Sequence, residues 1–165
     1  MIRTLTLAAV AATLSLPALA CDGFEVHDSY ARATGMMAQS GAAFMVLRNT
    51  GDADCHIVAV HSDIAERTEL HTHREDEQGV MRMVELEDGI DLPAGSDHPM
   101  ARGGDHVMFL GLSRPMAQGE PVEVTFVFED GAEHSVSVAI DNERQPEGHG
   151  HSQGHQHGHQ HGTRN

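Results

Sequence analysis

Between residues 122 and 128 the chain places Val122, Val124, Phe126 and Phe128 two residues apart, with Glu123 and Thr125 between them. A period of two is the pattern of a β-strand with one buried and one wet face. On a helix the same four apolar side chains would scatter around the axis. From Phe24 to Ile140 similar short runs recur, separated by turn residues, and little of the segment keeps a 3.6-residue period. Such spacing predicts an antiparallel sandwich or barrel. The expected strands cover 24–32, 42–49, 56–61, 68–73, 80–86, 97–101, 106–110, 122–128 and 134–140. Asp88-Gly89 and Asp130-Gly131 supply turn dipeptides of the hairpin type, and a single helical turn is expected over 63–67.

Both ends of the chain differ in character from this middle. Arg3, an apolar run over 5–16 and Ala18-Leu19-Ala20 have the layout of a secretory signal cleaved after Ala20. The apolar run is shorter than the roughly 20 residues that span a bilayer, so no membrane insertion is expected once the signal is removed. After Asp141 the composition turns to Gly, His and Gln, with nothing apolar to bury. The expected organisation is a signal peptide at 1–20, one folded domain at 21–141, and a disordered His-rich tail at 142–165.

The charge balance narrows the partners. Asp and Glu number 25 against 10 basic residues, all of them Arg, for a formal net charge of −15. A binder of phosphate backbones needs clustered positive charge, so nucleic acid is excluded as an expected partner. In an oxidising compartment the only two cysteines, Cys21 and Cys55, form a candidate disulfide, with a lipid-modified Cys21 or two free thiols as the alternatives.

Three short motifs carry metal chemistry: His71-Thr72-His73, Met81-Arg82-Met83 and His106-Val107-Met108. Residues i and i+2 of a strand project from one face, so each motif can aim two donors at one point. Thioether sulfur is soft and imidazole borderline, a combination suited to Cu(I) and poor for Mg or Ca. Met81 and Met83 alternate with Val80, Val84 and Leu86, which are expected to form the core side of their strand. Met45 reads as core filler, and His27, His56, His61 and His134 as solvated side chains.

The segments E-L-H-T-H, V-M-R-M, L-P-A-G at 92–95 and G-G-D-H-V-M-F-L-G-L at 103–112 resemble the periplasmic Cu(A) copper chaperones called PCu(A)C, as does G-A-A-F-M-V-L-R-N-T-G-D-A-D at 41–54. The resemblance covers about 24–140 and implies a cupredoxin-like, Greek-key β-sandwich holding one Cu(I). Carried onto this chain, the implied ligands are His71, Met83, His106 and Met108. Eleven residues separate His71 from Met83 and twenty-two separate Met83 from His106, each one more than the family's usual spacing. The choice between Met81 and Met83 therefore stays open. His73, Met81 and Met100 stand as residues that support the ligands or pass the metal on. In the tail, His149, His151, His155, His157, His159 and His161 offer dense imidazole nitrogen, which suits Cu(II) better than Cu(I).

The resemblance implies a monomeric periplasmic chaperone that delivers Cu(I) towards the Cu(A)-bearing subunit of cytochrome c oxidase or to another periplasmic copper chaperone. The alternative is a copper buffer or resistance protein acting mainly through its tail. A blue-copper site needs a cysteine thiolate beside two imidazoles, and neither Cys21 nor Cys55 lies near the H-x-M. No nucleophile, base and orienting acid converge in a local motif, so an enzyme is not expected.

Overall fold

The computed structural model describes residues 21–145, and among them the regular elements are ten β-strands and no helix. They are β1 (Phe24–Ala33), β2 (Ser40–Asn49), β3 (Cys55–His61), β4 (Ala65–Glu75), β5 (Met81–Glu85), β6 (Ile90–Leu92), β7 (Asp97–Met100), β8 (His106–Leu112), β9 (Pro121–Phe128) and β10 (Glu133–Ala139). Nine match the alternating runs. The tenth, β6, has three residues, too few to show a period. The helical turn expected over 63–67 is absent. Residues 63 and 64 form a turn and β4 begins at Ala65, which already pairs with Leu112 of β8.

The strands form two antiparallel sheets. The larger has the order β1-β2-β8-β4-β5 with β7 also paired to β2, and the smaller the order β10-β9-β3-β6. The chain crosses between the sheets after β2, β3, β5, β6 and β8, giving the cupredoxin-like sandwich. Leu47, Val107 and Phe109 from the larger sheet meet Ile57, Val124 and Phe126 from the smaller, all of them fully buried. Each such side chain removed from water contributes about 1.5–3 kcal/mol. The rings of Phe126 and Phe128 pack on Phe24, with centroids 5.3 and 5.1 Å away.

Cys21 and Cys55 are disulfide-bonded, with Cα atoms 5.5 Å apart and 34 residues of separation. Closing a loop of that length removes unfolded-state entropy worth about 3–4 kcal/mol. At the other end, the Asn142 side chain accepts from the Ala33 amide and donates to the Met116 carbonyl. The Arg144 guanidinium lies 4.4 Å from the Tyr30 ring centre and pairs with Asp28. Asp28 sits at a bulge in β1 with φ of 49°, a conformation Asp tolerates better than most residues.

Strand β5 departs from expectation. Val80, assigned to the core side, is 51% exposed, and only Val84 and Leu86 are half-buried. The strand is an edge of the larger sheet, paired only to β4.

Candidate metal centre

Alternation along the larger sheet sorts its side chains between two faces. Ala43, Leu47, Leu70, Val107 and Phe109 point to the core. The residues between them carry Phe44, Glu69, His71, His106 and Met108 on the outer face. The register then assembles a row: Tyr30 is opposite Phe44, and His71 opposite His106. The ring centres of Phe44 and His106 are 5.9 Å apart, so the row is continuous across β2 and β8. One step along, His73 faces Met83 across the β4–β5 pair.

A cavity of about 310 Å³ opens over this face, and its lining includes His73, Met83, His106, Met108, Phe44 and Arg102. Met83 is 45% exposed at its rim, whereas His106 is 2% exposed at its floor. The β4–β5 turn lies among the eleven residues that separate His71 from Met83. There the Asp76 side chain accepts from the Gln78 and Val80 amides and from Arg82. Those bonds, led by the Val80 amide, hold the Asp76 carboxyl below the usual carboxylate range. In the register that follows this turn, Met83 falls beside His73, while Met81 pairs with Glu75 and is absent from the lining.

The loop before β8 fixes the deepest imidazole. Gly104 donates to the Ala101 carbonyl at 3.0 Å, and Gly103 within that turn has φ of 85°, a region natural to glycine. The turn brings the Gly104 carbonyl 2.9 Å from His106 Nδ1. A carbonyl only accepts, so Nδ1 carries the proton and the Nε2 lone pair is free for a metal. Burial holds the His106 imidazole below the usual histidine range, aided by its neighbours His73 and His71 and opposed by the Gly104 carbonyl and Asp105. A neutral imidazole is the form that binds metal.

The rings of His73 and His71 lie 5.3 and 6.0 Å from that of His106. His71 is outside the cavity lining and is turned along the strand, with Nε2 2.8 Å from a Glu69 carboxylate oxygen. Its Nδ1 is buried without a hydrogen-bond partner. Met100 is not part of this assembly: it is 2% exposed in the core, opposite Met45, which is buried as expected of a filler. His27 and His56 pair with Glu25 and Asp91 at the surface, and His61 and His134 are exposed. The signal segment and the six tail histidines lie outside the described residues.

Among the described residues no three His, Cys, Asp or Glu side chains are placed to hold a metal ion together. The cavity on this face does hold thioether sulfur, from Met83 and Met108, beside the imidazoles of His73 and His106. A donor set of imidazole and thioether fits Cu(I), and the unpartnered buried Nδ1 of His71 is a nitrogen that lacks only an electrophile. Sequence reasoning missed Phe44, Arg102, Glu69 and Gly104. The parity of β2 could have found Phe44, since it alternates with Ala43 and Met45, and the two-residue spacing from His71 could have found Glu69, but nothing local marks Arg102 or Gly104.

The LpqE-like family of putative lipoproteins matches residues 24–140. A Leifsonia xyli subsp. xyli relative, "Putative lipoprotein Lxx21020", is 34% identical over 131 residues, covering 78% of this chain and 76% of its own. The Cu(I) form of DR1885 from Deinococcus radiodurans is similar in structure, with TM-score 0.55 and 27% identity over 76% of this chain and 84% of that one. The copper-bound PCuAC domain of PmoF2 has the same fold, with TM-score 0.59 and 24% identity over 74% of this chain and 96% of that one.

Proposed function

The chain belongs to the LpqE-like family, which is the PCuAC family, and on that premise we propose that it is a periplasmic copper chaperone holding one Cu(I) through His71, Met83, His106 and Met108. The observation that carries this reading is the cavity in which His106, Met108 and Met83 converge while no three harder ligands do. The family resemblance supplies His71 as the fourth ligand. Its buried, unpartnered Nδ1 supports that choice over His73, whose Nδ1 faces the Gly104 carbonyl at 3.5 Å.

Copper is cargo here, and neutral ligands at a half-open rim suit a carrier that must release. The acceptor in this reading is the Cu(A)-bearing subunit of cytochrome c oxidase or another periplasmic copper chaperone. The copper-bound relatives favour copper as the cargo, and lipoprotein-type family names favour export. A Cys21 sulfur in a disulfide cannot also carry a thioether-linked lipid, so Cys21 is not a membrane anchor in this reading. The His-rich tail takes Cu(II) as a separate device. Its root favours a role beside the site, since Gln145 lies with Tyr30, Phe44 and Arg102 in a cavity next to the metal-binding one.

Deleting the gene should impair Cu(A) loading at ordinary copper levels, and His106→Ala should fail to restore it. If deletion sensitises cells to excess copper and leaves oxidase assembly normal, the protein is instead a buffer acting through its tail.

A further inference from the structure

The geometry points to Glu69 as a positioning residue that makes the two histidines of the site bind copper through different ring nitrogens, His106 through Nε2 and His71 through Nδ1. The inference rests on His71 being a ligand. Glu69 and His71 are two residues apart on β4, so both project from the outer face. Their side chains are 14% and 12% exposed, and a Glu69 oxygen lies 2.8 Å from His71 Nε2. The other Glu69 oxygen is held by Arg67 at 2.8 Å, which orients the carboxylate.

An ionised carboxylate accepts and cannot donate, so the nitrogen facing it must bear the ring proton. A neutral imidazole has one such proton, which leaves the lone pair on Nδ1. That atom is buried and has no partner. His106 has the opposite arrangement, with Nδ1 turned to the Gly104 carbonyl. The two rings, 6.0 Å apart, are cross-strand neighbours. A metal about 2 Å from a nitrogen of each of two imidazoles separates the ring centres by roughly 5–6 Å. Partners that orient a ligating histidine this way are commonly worth 10–100-fold in metal affinity.

The test uses the full chain with ¹⁵N-labelled histidine and one equivalent of Cu(I), read by long-range ¹H–¹⁵N correlation of the imidazole rings. In the apo protein His71 should show a protonated Nε2 and a bare Nδ1, and copper should shift Nδ1. Glu69→Gln keeps an acceptor oxygen and should keep that tautomer with an affinity loss below about 5-fold. Glu69→Leu cannot accept, and should mix the tautomers and weaken Cu(I) by about 10-fold or more. Its thermal midpoint is measured alongside to separate orientation from folding. Coordination of His71 through Nε2, or an unchanged tautomer in Glu69→Leu, would overturn the role of Glu69 and leave the four-ligand reading standing. If copper moves neither nitrogen of His71, the four-ligand reading itself fails.

Discussion

The hairpins β9–β10 and β4–β5 are both antiparallel, yet they handle their apolar side chains in opposite ways. In β9 every second residue is buried, and Val122, Val124 and Phe126 are at most 1% exposed. In β5 Met81 and Met83 stand 56% and 45% exposed, with Val80 beside them at 51%. The first hairpin contributes stability, because its apolar area leaves water on folding. The second gives up burial and keeps the Met83 thioether at the rim of a cavity that also holds His73 and His106. Exposed apolar residues concentrated next to a cluster of imidazoles thus mark function better than the core pattern does.

Substitutions can break or sharpen this contrast. Phe126→Ala empties a fully buried site and should cost about 3–5 kcal/mol in urea unfolding. Met83→Ala should change stability by no more than about 0.5 kcal/mol, as expected of an exposed position. Equal losses from the two would end the distinction. Replacing Cys21 and Cys55 together by Ser should remove about 2–4 kcal/mol, measured the same way, and leave Cu(I) affinity within a few-fold, since the bridge lies outside the cavity lined by Met83 and His106.

On the binding side the order reverses. Met83→Ala should weaken Cu(I) by about 10-fold or more in competition with a chromophoric chelator, whereas Met81→Ala should cost only a few-fold. A larger loss at Met81 would mean that the β4–β5 register shifts when copper binds.

The smallest effect concerns protons. His106 titrates below the ordinary histidine range in the folded protein, so below about 6.5 the unfolded chain binds more protons there than the folded one. Its contribution to apo stability is therefore present above that pH and is lost as pH falls towards the folded value. Urea midpoints between pH 7.5 and 5 should fall less steeply for His106→Gln than for the parent chain. Identical slopes would show that His106 is not the buried, neutral group described above.

Much of the fold was legible because a period of two survives wherever one face is wet, as along β9. It failed at β6, too short to show a period, and at the 63–67 turn, where a local reading had no information about the strand that follows. For β5 the alternation was read correctly as a strand, but its placement at a sheet edge exposed both faces of its first residues, which no local pattern reveals. At the site, the H-x-M and M-x-M spacings were visible. That Met83 and not Met81 lines the cavity was not, because it depends on the β4–β5 register set by the turn around Asp76. Likewise Glu69 became meaningful only once the ring it holds was known to keep a bare nitrogen on its other side.

The mixed donor set is the central claim, and X-ray absorption at the copper edge reads it directly. The chain to use carries Gln in place of His149, His151, His155, His157, His159 and His161, so that one equivalent of Cu(I) reports only the domain. Two sulfur and two nitrogen scatterers are predicted, with one sulfur lost in Met83→Ala. A shell of nitrogen alone, or sulfur scattering unchanged by removing Met83, would contradict the account.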